Sequence, residues 1–351
     1  HHKCPKCGTV YGGFPYDNVL YGRAHRRNGE SAEDAAWAYA ITGDRKYAEF
    51  AAKVLLGYAE RYLDYPMVHA GVSDKSIDVA KERFGKYRSA GHVFEQTLDE
   101  AMWMIPLATA YDLIYDCGVL SDGDKRLVEE RLIRAMAENI DKHKAGKSNW
   151  QTWHNAAFLW AGAVLGDEAL VKRAILDPEN GFVYQMKASV MPEGMWYENS
   201  WGYHYYTLTA MTHLAEGARR LGLDLWSHPM MRRMYTVGLD YRMSDGSLPR
   251  FGDAVQDTPE RPSVNEPAYA VYRDERLLST LPGKATWLSV MLGRDTSRRA
   301  EPPKPASKVF PGAGHAILHT DGPGRLSAAM TFGPYGGFHG HFDKLSFVFF
   351  G

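Results

Sequence analysis

The hydrophobic period of this chain changes once. Up to about residue 300 the apolar side chains recur at helical spacing. After Pro302-Pro-Lys-Pro305 they fall into short β-like runs separated by glycine-rich turns. Ser31-Ala-Glu-Asp34 reads as a capping box that opens a helix through Ile41. Gly43 ends that helix and Asp44 caps the next, over 45–63, with Tyr47, Phe50, Val54, Leu55, Tyr58 and Tyr62 at helical spacing. Leu165-Gly166-Asp167 repeats this stop and start ahead of a helix over 168–176, and Ser121-Asp-Gly-Asp124 caps another. A long helical pattern over 94–115 is expected to kink or break at Pro106. Further helices are predicted over 150–165, 200–221, 229–243 and 268–281, and strands over 309–319, 326–332 and 345–350.

Many helical hairpins followed by strands, with no alternation of the two, place the chain in the α+β multidomain class. The reading is an α/α toroid over 1–301, with a zinc-knuckle or extended lead-in over 1–20. The start of an antiparallel β-sheet (β-sandwich) domain follows over 302–351. A final strand at 345–351 would stop mid-sheet, so the chain reads as a truncated piece of a longer protein whose targeting signal has been removed.

Charge and apolar content narrow the function. Lys+Arg number 41 against 42 Asp+Glu, a net charge of −1, which argues against a nucleic-acid binder and leaves room for a locally bound anion. The longest apolar stretches, 156–165 and 101–107, are too short to span a bilayer. Three cysteines cannot build a disulfide framework. Aromatic residues reach 13%, led by tyrosine, as a cleft stacking on sugar rings would need and as a large core with wet edges would also give.

Four segments concentrate chemistry. Ser148-Asn-Trp-Gln-Thr-Trp-His-Asn155 sits at a helix start. It is either a cap with Trp150 and Trp153 in the core and His154 a satisfied core histidine, or an anion site built on free backbone N–H groups. The stretch 192–206 packs Glu198, His204, Tyr203, Tyr205 and Tyr206 ahead of an amphipathic helix, and Tyr203 or Tyr205 can serve as a general acid. In Gly336-Gly-Phe-His-Gly-His-Phe-Asp-Lys344, a His-x-His pair in extended chain would turn both imidazoles to one face, a metal ligand beside a substrate-facing His. The bland alternative is a glycine-rich turn with incidental histidines. Cys4-Pro-Lys-Cys7 is half of a structural zinc knuckle. Weaker signals are Gln96 and Glu100 on one helix face, Arg88 before them, and the Leu248-Pro-Arg-Phe-Gly-Asp253 loop, whose Arg250 can hold a carboxylate.

Taken together, these residues resemble the heparinase II/III-like polysaccharide lyases, exo-acting oligoalginate and heparin lyases included. The resemblance is carried by Phe94-Glu-Gln-Thr-Leu-Asp-Glu-Ala, Asn149 to Asn155, Glu198 to Leu208, Val309-Phe-Pro-Gly-Ala-Gly and His339-Gly-His-Phe-Asp-Lys-Leu-Ser-Phe. It implies a helical toroid, a following β-sandwich, and cleavage beside a uronic acid by β-elimination. Asn149, His154 and Gln96 would then neutralise the sugar carboxylate, and Tyr203 would protonate the leaving oxygen. The base would be Tyr203 itself, His154 or His339. Arg88, Trp153, Glu198, Tyr205 and Arg250 are the further substrate contacts. His341 resembles the family's metal ligand, its partners lying past Gly351, with a divalent metal, zinc, bracing the β domain. One departure is Trp150, which stands where many relatives carry His directly after the asparagine.

The substrate implied is an acidic polysaccharide, glycosaminoglycan or alginate, met in the periplasm or outside the cell. The rival readings are a glycoside hydrolase, for which only Glu193, Glu198 and Asp253 supply the two carboxylates needed, and a carbohydrate-binding protein without catalysis.

Overall fold

A computed structural model describes residues 2–13, 16–65, 67, 91–255, 257–321, 325–342 and 344–351. Helical hairpins come first and an antiparallel sheet follows, as the sequence predicts. The helices are α1 (Tyr16–Thr42), α2 (Arg45–Arg61), α3 (Thr97–Ile114), α4 (Asp122–Val128), α5 (Ala135–Asp141), α6 (Asn149–Leu165), α7 (Glu168–Leu176), α8 (Phe182–Ala188), α9 (Trp201–Arg220), α10 (Pro229–Val237), α11 (Pro262–Tyr272), α12 (Glu275–Leu278) and α13 (Trp287–Met291).

The chain groups into two compact units. One comprises His1–Gly146 and Trp153–Gly181, the other Lys147–Thr152 and Phe182–Gly351. Helix α6 therefore belongs to both, its first turn to the second unit and the remainder to the first.

In the first unit, Asp44 caps α2 by accepting from the Lys46 amide, and Ser121 with Asp124 forms the reciprocal capping box of α4. The Ser31–Asp34 pattern does not start a helix. It lies in the middle of α1, because residues 16–30 are already helical and a cap acts only where the incoming chain is extended. Pro106 lies inside α3 instead of ending it; nearly every neighbour in that helix is buried, and such packing outweighs the proline's local cost of about 3 kcal/mol. Small residues set the spacing. Ala32, Ala35 and Ala36 of α1 and Ala48, Ala51 and Ala52 of α2 are buried, and a Cβ on Gly29 would lie 2.5 Å from the Trp103 indole nitrogen.

The second unit carries a four-stranded antiparallel sheet of β3 (Lys308–Phe310), β4 (His315–His319), β5 (Ser327–Thr331) and β6 (Ser346–Phe350), in that spatial order. A hairpin of β1 (His2–Lys3) and β2 (Val10–Tyr11) belongs to the first unit. One sheet face buries Phe310, His315, Ile317 and Ala329, while Val309, Leu318 and Phe349 on the other are exposed. Among the described residues no helix is long and apolar enough to cross a membrane.

Candidate active site

The site forms where the chain enters α9. Val190 pairs with Trp196 across a tight turn, in which Gly194 has φ +104°. Asn199 then adopts the left-handed conformation, φ 52°, one that asparagine tolerates better than most residues, and its Nδ2 donates to the Pro334 carbonyl at 3.3 Å. That bend directs Glu198 inward. Asn149, at the first position of α6, donates from Nδ2 to both Glu198 carboxylate oxygens at 3.0 Å, and the Trp196 indole N–H donates to Oε2 at 2.8 Å. Burial raises the Glu198 pKa, and these two donors together with the nearby His339 work against the rise.

Helix α9 presents one side to the core and one to the site. Trp201, His204 and Tyr205 are buried. His204 accepts from the Trp196 backbone N–H at Nδ1 (3.1 Å) and meets the Met234 carbonyl with Nε2 (3.0 Å), so its proton sits on Nε2; burial holds its pKa down to about 4. Tyr203 is half-buried and its ring stacks on His339, centroids 3.4 Å apart and planes at 14°. Burial, with Asp253 and Glu198 nearby, pushes its phenol above the ordinary value.

Asp253 organises the histidines. Its Oδ2 lies 2.9 Å from His339 Nδ1 and its Oδ1 2.8 Å from His341 Nε2. Those two contacts hold the Asp253 carboxyl below its usual pKa. An ionised carboxylate only accepts, so His339 carries its proton on Nδ1 and, when neutral, leaves Nε2 as an open lone pair. Close backbone approach makes this possible. The Asp253 amide donates to the His339 carbonyl at 3.0 Å, and a Cβ on Gly252, where φ is +54°, would collide with that same oxygen. A Cβ on Gly336 would fall 2.8 Å from the Glu198 backbone. The segment Gly337–His339 is a 3-10 turn, not the extended chain expected, and the imidazoles converge because one carboxylate receives both.

Asn149, Glu198, Tyr203, His339 and His341 thus come together within the second unit, linked through Asp253 and Trp196. Arg250 is exposed there and lines a cavity of about 60 Å³ with Asn199, His315, His341 and Lys344. Tyr205 is buried, with the Arg261 guanidinium 5.1 Å from its ring, so it is a core aromatic. Gln96, Trp153 and His154 belong to the first unit. His154 has no exposed surface, lies 3.3 Å from the Thr97 hydroxyl through Nε2, and is pushed down to about 3 by burial. It is a core histidine: five positions past Asn149, it points roughly 140° away around the helix. Trp153 is likewise buried, and Gln96 is half-buried at the start of α3. Arg88 lies outside the described residues.

In the sequence Asp253 reads only as the end of the 248–253 loop and as a hydrolase carboxylate, and its role in orienting both histidines was missed. No local pattern links positions 86 and 88 residues apart in sequence. Among the described residues no group of three His, Cys, Asp or Glu side chains is placed to hold an ion. Cys4 and Cys7 are free thiols flanking a turn, and His341 has Asp253 as its carboxylate partner. The donors present do not by themselves fit zinc, which wants four.

Comparison with solved structures defines the class first: this is the helical-hairpin-plus-sheet fold of the heparinase III type. The chain matches crystalline heparinase III with TM-score 0.62 at 14% identity, covering 99% of this chain and 52% of that one. It matches heparan sulfate lyase from Pedobacter heparinus with TM-score 0.61 at 17% identity, covering 99% and 52%. The alginate lyase family profile matches residues 17–247, and the chain belongs to that family. Among curated proteins it is 28% identical to an alginate lyase of Stenotrophomonas maltophilia (strain K279a), over 93% of this chain and 45% of the relative. It is 25% identical to an exo-oligoalginate lyase of Saccharophagus degradans (strain 2-40), over 93% and 46%. The chain spans about half the length of these relatives.

Proposed function

We propose that this site belongs to a polysaccharide lyase that cleaves beside a uronic acid by β-elimination, with alginate oligomers as substrate and attack from the chain end. The observation that carries the reading is the Asp253–His339–Tyr203 assembly: an imidazole whose Nε2 has no partner among the described residues, stacked on a phenol that stays protonated. His339 Nε2 removes the C5 proton. The C–H electron pair becomes the C4=C5 double bond as the C4–O4 bond breaks, and the Tyr203 O–H protonates the departing O4. The C5 proton is weakly acidic until the sugar carboxylate is stabilised, and Asn149, held in place by Glu198, is the residue assigned to that task. No step is routed through a metal.

A hydrolase would need two free carboxylates across the bond. Glu198 is held by Asn149 and Trp196, Glu193 accepts from the Gly312 and Ala313 amides at 2.7 and 3.2 Å, and Asp253 is committed to two imidazoles. All three are engaged, which favours elimination. A polymeric substrate outside the cytoplasm makes secretion or a periplasmic location part of this proposal.

The test is an ultraviolet absorbance screen over polymannuronate, polyguluronate, heparan sulfate, hyaluronan and chondroitin sulfate. A new C4=C5 double bond absorbs strongly, so a rising signal with alginate is the expected result. Reducing ends without absorbance would mean hydrolysis, and binding without any product would mean an inert cleft.

A further inference from the structure

The first unit carries a pair of thiols in a closed turn. Strands β1 and β2 pair His2 with Tyr11 and Lys3 with Val10. The loop between them is tied by the Cys4 N–H, which donates to the Thr9 carbonyl at 2.8 Å, and by the Gly8 N–H, which donates to the Cys4 carbonyl at 2.9 Å. Gly8, at φ +76°, makes the reversal possible. This hairpin is seated on the first turn of α1. The Gly13 amide donates to Asp17 Oδ2 at 2.9 Å, His2 Nε2 lies 3.2 Å from Asp17 Oδ1, and the Tyr11 and Tyr16 ring centroids are 4.9 Å apart. Cys4 and Cys7 stand at the first and fourth positions of the turn, which brings Cα atoms within about 7 Å, the span a disulfide bridges.

Both sulfurs are free thiols, and their surroundings differ from those of the third cysteine. Cys7 is exposed, its Sγ 3.2 Å from the Thr9 hydroxyl oxygen, and Cys4 is half-buried. The Thr9 hydroxyl, with the Thr9 amide and the Cys4 thiol, holds the Cys7 thiol below its ordinary pKa. Cys117 instead donates its S–H to the Ile114 carbonyl at 2.8 Å, a contact only the protonated form can make. A cation would need more donors than this pair. His2 is taken up by Asp17, and among the described residues no third His, Cys, Asp or Glu side chain joins the two sulfurs. An exposed sulfur with a second thiol behind it and no further ligand suits exchange between sulfurs.

We propose that Cys4 and Cys7 form a thiol–disulfide exchange site for a low-molecular-weight disulfide such as glutathione disulfide, with Cys7 the attacking sulfur and Cys4 the resolving one. The Cys7 thiolate attacks one glutathione sulfur, a Cys7–glutathione bond forms, the glutathione S–S bond breaks, and the first glutathione leaves as thiolate. Cys4 then gives its proton to solvent and attacks the Cys7 sulfur. The Cys4–Cys7 bond forms and the second glutathione thiolate leaves. Two protein thiols are oxidised, and one disulfide is reduced to two thiols. None of this depends on the lyase reading.

The experiment equilibrates the full chain in buffers of varied reduced-to-oxidised glutathione ratio, quenches in acid, alkylates the remaining thiols and maps them by mass spectrometry. The expected product is a Cys4–Cys7 peptide two hydrogens lighter, restored by reduced glutathione, with Cys117 alkylated throughout. Cys4→Ser should stop at the Cys7–glutathione mixed disulfide, and Cys4 in Cys7→Ser should react about tenfold more slowly than Cys7 in Cys4→Ser. Both substitutions lie in a surface loop, and matching thermal melts confirm intact folding. A pair that stays reduced, or that stops at the mixed disulfide in the unsubstituted protein, overturns the proposal, as do equal rates in the two variants. So does a zinc ion retained through desalting with both sulfurs shielded from alkylation, which would make the pair a metal site.

Discussion

The reactive chemistry resolves to a few atoms whose roles can be separated by substitution. Tyr203→Phe removes the proton donor and keeps the stacked ring, so kcat should fall about 10²–10⁴-fold with KM within a few-fold and an unchanged melting temperature. Asp253→Asn is the sharper test. An amide can present N–H where the carboxylate only accepts, which lets His339 hold its proton on Nε2 and closes the lone pair the reaction needs. Its kcat should drop by about 10²-fold or more, and adding it to His339→Gln should cost little beyond His339→Gln alone, since the two act as a unit. Additive losses in steady-state assays would show that Asp253 serves some other end. At this scale the sequence was partly legible. Glycines crowding His339, and hydroxyls crowding Tyr203, mark those two residues without coordinates. His154 has no exposed surface and meets Thr97, a burial that spacing along α6 alone did not reveal.

Among elements, the turn 250–253 and the 3-10 turn Gly337–His339 are locked by a shared close approach. Gly252→Ala should be destabilising by about 1–3 kcal/mol in a denaturant titration, because the added methyl meets the His339 carbonyl and the backbone is held at φ +54°. It should also lower kcat, since relief of the clash moves His339 away from Asp253. A variant as stable and as active as the parent would mean the turn is slack. Helix starts were readable at Asp44, Ser121 and Asp167, where a side chain closes its own cap, while the caps at Asp274 and Thr286 went unread. Helix boundaries were unreadable where tertiary burial overrides local grammar. Ser31 looks like a cap within a helix that continues on both sides, and Pro106 looks like a stop in a helix that packing sustains. Strands near 327–331 and 346–350 were foreseen, but the run over 309–319 is two strands, β3 and β4, folded back on each other, and the joining of that sheet to the helices of 182–291 in one unit was not legible.

The whole molecule carries a set of imidazoles that folding keeps neutral. Burial holds His154 and His315 down to about 3 and His204 and His213 down to about 4, against an ordinary value near 6.5. As pH falls below about 6.5 the unfolded chain takes up these protons and the folded one does not, so stability is present at neutral pH and is lost on acidification toward pH 4. Thermal melts should therefore fall steadily between pH 6.5 and 4, and replacing His213 with Gln should flatten part of that slope. A melting temperature constant across this range would contradict the burial of these rings. Helix α6, whose opening turn belongs to one compact unit and whose body belongs to the other, has a practical corollary. Dissecting the gene into two separately produced halves would have to sever a continuous ladder of backbone bonds or strand Asn149 away from Glu198. Neither fragment could be expected to stand in for its portion of the parent, and complementation in trans would have to rebuild that rod before any chemistry returned.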